Sequence, residues 1–173
     1  MKSCMEIMLT RRSVKKYLPD MPKREDIDKI IEAGLAAASG RNMQAPVIVA
    51  VTNKEIRDRL SRANADIMGA TADPFYGAPC VLVVLAEKTA HTYVYDGSLS
   101  LGNMMLAAHE LGLGSCWIHR AREVMAQDEW QAWIKEIGLV GEYEGIGNLV
   151  VGYIDGEYPA EKPRKEGRVV YVK

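Results

Sequence analysis

The chain has 173 residues, 48% of them hydrophobic, enough to build one domain spanning residues 1–173 around a sizeable core. Its 22 basic residues nearly cancel its 23 acidic ones and are spread along the chain, so nothing in the charge pattern favours nucleic acid or an anionic membrane as partner. No stretch approaches the roughly 20 consecutive apolar residues of a bilayer span, and no signal-peptide run precedes the basic pair Arg11-Arg12, so a cytoplasmic protein is expected.

In chain order, a short N-terminal helix leads into Thr10-Arg11-Arg12-Ser13-Val14-Lys15-Lys16-Tyr17. Over residues 23–38, Ile27, Ile30, Ile31, Gly34 and Ala38 recur at helical spacing, with Glu25 and Asp26 where a helix dipole favours negative charge. Ser39 and Gly40 end that helix. Pro46 then separates a polar loop from Val47-Ile48-Val49-Ala50-Val51, a continuous apolar run that predicts a central strand covered on both faces. Two further runs, Val81-Leu82-Val83-Val84-Leu85 and Leu149-Val150-Val151-Gly152-Tyr153-Ile154, predict strands, the second closed by Asp155-Gly156.

Between these runs, residues 98–111 form a helix apolar on most of its circumference, to be covered by the core or in part by a second subunit. The stripe Trp130, Trp133, Ile134 and Ile137 is assigned to packing. Val169-Val170-Tyr171-Val172 could add an edge strand, in this chain or on a partner. Helices interleaved with apolar strands predict a layered α/β or α+β domain.

Several chemistries lack their motif. Walker A, HExxH, CxxC and GxSxG patterns are all missing from the sequence, which leaves ATP hydrolysis, zinc peptidase chemistry, dithiol exchange and the serine-hydrolase elbow without support. Gly112-Leu113-Gly114-Ser115-Cys116-Trp117 starts like a dinucleotide fingerprint but lacks its third glycine and follows a helix, so a helix C-cap at Gly112 or Gly114 explains it better. The three widely spaced cysteines, Cys4, Cys80 and Cys116, read as free thiols, and no metal site is expected.

Three polar clusters carry the chemistry that remains: Arg11-Arg12-Ser13 with Lys15 near the N-terminus, Ser39-Gly40-Arg41-Asn42-Met43-Gln44 before the first strand, and Lys162-Pro163-Arg164-Lys165 near the C-terminus. Arginine offers a planar fork to phosphate, serine a hydroxyl and lysine a point charge, so both chain ends could converge on one terminal phosphate. Their order and spacing, with Asp96-Gly97-Ser98 leading to Gly112-Leu113-Gly114-Ser115-Cys116-Trp117-Ile118, resemble the nitroreductase family over nearly the whole chain.

That resemblance implies an α+β fold, a three-layer α/β/α sandwich whose mixed, mainly antiparallel sheet is flanked by helices, in an intertwined homodimer with two FMN sites at the interface. It implies that Arg11, Ser13, Lys162 and Arg164 hold the phosphate and ribityl end, with Arg12 also among the cofactor contacts, that Lys15 lies near flavin N1 and O2, and that Trp117, Ile118, His119 and Arg120 pass along the ring near N5 and O4. Ser39, Gly40, Asn42 and Gln44 would come from the other subunit. The activity implied is NADH- or NADPH-dependent hydride transfer, through flavin N5, to nitro compounds, quinones or similar electron-poor acceptors. Specialised flavin chemistry of a dehalogenating or flavin-fragmenting kind, and flavin storage without turnover, are the alternatives. The flavin carries the electrons, so no side-chain nucleophile is needed. His119 is a general acid or an anion contact at the flavin edge, or a structural histidine donating to a backbone carbonyl. Asn64, Phe75 and Tyr76 either line the acceptor pocket or anchor a packed loop.

Overall fold

The computed structural model describes residues 3–173. Its centre is a four-stranded sheet of β1 (Pro46–Val51), β2 (Cys80–Glu87), β3 (Gly114–Ile118) and β4 (Tyr143–Gly152), in the order β1-β2-β4-β3. Each neighbouring pair is antiparallel. Strand β2 explains why its sequence is an unbroken apolar run: Val81, Val83 and Leu85 face one hydrophobic cluster while Cys80, Leu82, Val84 and Ala86 face another. Both faces are covered, so alternation has nothing polar to alternate with.

Helices α2 (Arg24–Leu35) and α4 (Tyr93–Glu110) cover one face, through Ile27, Ile30, Leu101, Met104 and Ala108. Helices α3 (Lys54–Met68), α5 (Ala121–Met125) and α6 (Asp128–Glu136) supply Leu60, Val124, Met125, Trp130, Trp133 and Ile134 to the other. The result is the three-layer α+β sandwich expected. Close approach is built in with glycine: a Cβ on Gly34 of α2 would lie 2.7 Å from Met104 Cγ of α4. A short helix α1 (Cys4–Thr10) precedes these layers, capped at its start by the Ser3 hydroxyl, which accepts from the Glu6 amide.

A bulge shapes the middle of β4. Val84 pairs with Gly147 but Leu85 with Gly145, leaving Ile146 as the extra residue. Helix α5 rests against that bulge so closely that a Cβ on Gly145 would come 2.2 Å from the carbonyl oxygen of Ala121.

Some elements differ from expectation. The run 47–51 is a strand, but it sits at the sheet edge paired with β2, and Val47, Ile48 and Val49 are only half-buried. Apolar content measures the surface a strand offers for burial and not its rank in the sheet. Helix α2 stops at Leu35, because the Ala36 and Ala37 amides turn back to Glu32 and Gly34 and Ser39 is already extended. Helix α4 starts at Tyr93, earlier than predicted, and leaves Tyr95 and Leu99 exposed on one side. It ends as predicted on a left-handed glycine: Gly112 has φ +76°, and the Leu113 amide reaches back to Ala108. Ile137 lies one residue beyond α6 and is exposed, while the rest of its stripe is buried. Residues 169–172 form no strand in this chain and are largely exposed. The polar helix α3 and the short strand β3 lack a strong apolar signature and escape a pattern reading.

The bulge contact is testable. Gly145→Ala should push α5 off β4 at a cost of about 1–3 kcal/mol, lowering Tm by about 3–10 °C. Differential scanning calorimetry of the two proteins measures it.

Candidate active site

Helix α1 ends because Arg11 leaves helical geometry, with φ −59° and ψ 133°. The chain then runs as an extended arm alongside the sheet. Ser13 forms a parallel bridge with Ser115 of β3, the Val14 amide donates to the Ser115 carbonyl at 3.0 Å, and Tyr17 bridges Ile154. Val14 and Tyr17 are buried, and the Tyr17 hydroxyl donates to the Val14 carbonyl at 2.7 Å, where burial pushes its pKa up. Extended backbone alternates its side chains, so with Val14 turned inward Ser13 and Lys15 turn outward together.

They turn toward a cavity of about 450 Å³. The cavity has Cys116, Trp117, Ile118, His119 and Arg120 on the β3 side and Met68, Pro74 and Tyr76 opposite. Lys15 Nζ stands 5.6 Å from the centre of the Tyr76 ring. Among the described residues around the cavity there are two cationic side chains, one imidazole and no carboxylate, so the field inside favours an anion. Burial raises the pKa of the Cys116 thiol, and the Ser13 hydroxyl with the Lys15 and Arg11 charges pulls it part of the way back. Arg11 Nη1 is buried and has no hydrogen-bond partner among the described residues, and neither has Trp117 Nε1. Unpaired buried donors are expensive, and those of a guanidinium most of all.

Two cavity residues hold a left-handed backbone: Tyr76 at φ +54° and Arg120 at φ +79°. Arg120 is steadied by Glu123, whose Oε1 accepts from Nη1 at 2.9 Å and whose pKa the guanidinium lowers. Tyr76 is carried by a loop wrapped around Asp73. That carboxylate accepts from the Ser61 hydroxyl at 2.5 Å, from Arg57 Nη2 at 2.6 Å and from the Phe75 and Gly77 amides at 2.8 Å each. Burial pushes the Asp73 pKa up, but these donors outweigh it and the net direction is down.

The other expected residues lie elsewhere. Loop 39–44 leads into β1, at the sheet edge opposite β3 and three strand spacings, or about 14 Å, away. Its Gly40 amide donates to the buried carboxylate of Asp96, and a Cβ there would meet Thr92 Oγ1 at 2.2 Å. Arg41, Asn42 and Gln44 all have positive φ, which presents the exposed Asn42 and Gln44 side chains outward, joined at 3.2 Å. Within one chain, this loop and the cavity are not brought together. Arg12 fastens the arm: its Nη1 donates to the Leu9 and Arg11 carbonyls and its Nη2 pairs with Glu161 at 3.2 Å. Lys162 and Arg164 are exposed, on a tail that this Arg12–Glu161 pair moors. Asn64 and Phe75 are fully buried, Asn64 bonded to the Leu60 carbonyl and to Asn148, Phe75 beneath Arg57, so of that trio only Tyr76 reaches the cavity.

A sequence model of the nitroreductase family matches residues 8–71 and 64–153. The chain belongs to the nitroreductase family. It is 31% identical over 167 residues to a protein of Archaeoglobus fulgidus named as an NADH dehydrogenase/NAD(P)H nitroreductase, covering 94% of this chain and 88% of that one. An NADPH-flavin oxidoreductase of Vibrio harveyi is 29% identical over 181 residues, covering 98% of this chain and 73% of that protein. Among solved structures, a nitroreductase with bound FMN from Bacteroides fragilis superposes with a TM-score of 0.88 at 27% identity over all of both chains.

Sequence reasoning named Arg120 but missed Met68, Pro74 and the Asp73 hub of this cavity. The run Asp73-Pro74-Phe75-Tyr76-Gly77 did carry a signal, an aspartate placed to accept from amides two and four residues on. Asp73 has a folded pKa below its ordinary value of 3.8, so its contribution to stability is present above that value and is lost as pH falls toward the folded pKa. Asp73→Asn should flatten the decline of Tm on acidification below about pH 4 and should raise the protease sensitivity of loop 71–78 at neutral pH. Thermal scans across pH 2–7 with limited proteolysis test both.

Proposed function

We propose that this chain is an FMN-dependent oxidoreductase that takes hydride from NADPH or NADH and passes it, by way of flavin N5, to nitro compounds, quinones or similar electron-poor acceptors. The observation that carries the reading is the orphaned Arg11 Nη1, whose charge is felt at Cys116 on the lining of a cation-edged, carboxylate-free cavity. A buried guanidinium donor left open is what a phosphate-bearing ligand would complete. The residues present therefore fit FMN.

Bound FMN supplies a ring that accepts two electrons as hydride from one molecule and yields them to the next. Arg11 and Ser13, with Lys162 and Arg164 from the tail, hold the phosphate and ribityl end. Arg12 keeps the arm in place through Leu9, Arg11 and Glu161. Lys15 sets a fixed positive charge where negative charge collects on reduction, and the Tyr76 ring steadies its ammonium. Trp117 and Ile118 form the wall. The exposed imidazole of His119 lines the cavity, a proton-transfer group placed beside an acceptor. Ser39, Gly40, Asn42 and Gln44 belong to the site of a second copy in a homodimer, a reading supported by their place on the opposite sheet edge and by a backbone strained to turn polar tips outward.

The purified protein should carry oxidised-flavin absorbance that NADPH or NADH bleaches stoichiometrically and a quinone restores. Absence of flavin from protein reconstituted with FMN would overturn the reading, and flavin bound but reduced by neither nucleotide would favour storage. Arg11→Ala should raise the FMN dissociation constant about 10- to 100-fold, from loss of about 1.5–3 kcal/mol, while sparing riboflavin. Lys15 is exposed, so water screens it, and Lys15→Gln should lower the two-electron midpoint by only about 20 mV, from about 1 kcal/mol. Equilibrium reduction against a reference dye measures that shift.

A further inference from the structure

Beyond the cavity, one side-chain cluster joins the start of the C-terminal tail to the N-terminal arm. The Tyr158 hydroxyl accepts the backbone N–H of Arg12 at 2.6 Å. The same hydroxyl lies 3.1 Å from His109 Nδ1, and the two rings stack at 5.2 Å between centres and 26° between planes. His109 Nε2 is in turn 2.9 Å from Thr10 Oγ1, whose own proton goes to the Glu6 carbonyl at 2.6 Å.

Proton bookkeeping orders this chain. Thr10 has given its hydrogen to Glu6, so it accepts from His109 Nε2–H. With the ring proton on Nε2, Nδ1 is left as an acceptor, so the Tyr158 hydroxyl donates to it while its oxygen accepts from Arg12. The contacts Thr10–His109–Tyr158–Arg12 then form one consistent run of donors and acceptors that aims the Tyr158 oxygen at the Arg12 amide. His109 itself is buried in the last turn of α4, an anchor set in the core layer.

The Arg12 amide lies between Arg11 and Ser13. Before it, the Arg11 amide closes α1 on Ile7, and after it the Val14 amide is held by β3. The Tyr158 bond is therefore the clasp at the step where the chain has left the helix and has not yet joined the sheet. Tyr158 also starts the tail: three residues on, Glu161 pairs with Arg12, and Lys162 and Arg164 follow.

We infer that Tyr158, aimed by His109, is a positioning residue that registers the C-terminal tail against the Arg11–Ser13 arm, so that both sets of phosphate-binding side chains meet one phosphate. This rests on the proposed reading of Arg11 and Ser13 as phosphate contacts. Tyr158→Phe keeps the ring and its stacking and deletes only the hydroxyl.

The test titrates full-length apoprotein with FMN and, separately, with riboflavin, following flavin fluorescence, for wild type, Tyr158→Phe and Arg11→Ala. Tyr158→Phe should weaken FMN about tenfold and leave riboflavin within about twofold, because only the phosphate loses its grip. Equal weakening of both ligands, or of neither, overturns the inference, since a merely structural tyrosine would not discriminate between them. Arg11→Ala separates the two levels. If it collapses the preference for FMN and Tyr158→Phe does not, the positioning role alone falls; if it leaves the preference intact, the phosphate site falls and the positioning role with it.

Discussion

The site depends on the backbone seam between residues 13–18 and the edge of the sheet. The Ser13–Ser115 bridge, the Val14 amide on Ser115 and the Leu18 amide on Tyr153 lay the arm along β3 and past the end of β4. Val14 locks its register by packing where Gly114 has no side chain: a Cβ there would lie 2.9 Å from Val14 Cβ. Because strand side chains alternate, a slip of one residue would bury Ser13 and Lys15 and expose Val14. The seam thus does two things with one set of bonds. It covers part of an open sheet edge, and it turns a serine and a lysine into the cavity.

At both edges of the sheet, left-handed backbone and carboxylates recur together. Tyr76 is presented by a loop gathered on Asp73, Arg120 is steadied by Glu123, and the loop of Arg41, Asn42 and Gln44 is tied at Gly40 to Asp96. Non-glycine residues in this region carry strain of about 1–3 kcal/mol each and persist where neighbouring bonds over-determine them. In each case a carboxylate accepting from backbone or guanidinium supplies that restraint. Neither Asp73 nor Glu123 lines the cavity, so these two carboxylates brace its walls from outside and leave its lining without an anion.

Much of the fold was legible as pattern. The runs in β2 and β4, the buried faces of α2 and α6 and the glycine stop after α4 follow from periodicity and turn chemistry that act within a few residues. The strand position of 47–51 was not legible, because an edge strand with apolar side chains reads like a central one. Helix α3 was missed because its outward face is polar and its buried members include Arg57, Ser61 and Asn64, polar residues satisfied by partners distant in sequence. Arg11, Ser13 and Lys15 were legible in the sequence as one polar cluster, the first two read as phosphate contacts and the lysine as a contact of the flavin ring. Arg12 was grouped with them, although its guanidinium fastens the arm to the tail.

Residue order and local chemistry were therefore enough for the layers, the family and the kinds of side chain at work. They could not say which of those side chains meet. That Lys15 faces Tyr76, that His109 aims Tyr158 at Arg12, and that loop 39–44 stands a sheet's width from the cavity all depend on how the order β1-β2-β4-β3 sets the elements around the sheet. Strand order and register are settled by long-range packing of two faces at once, an interaction summed over the whole domain and carried by no short stretch of chain.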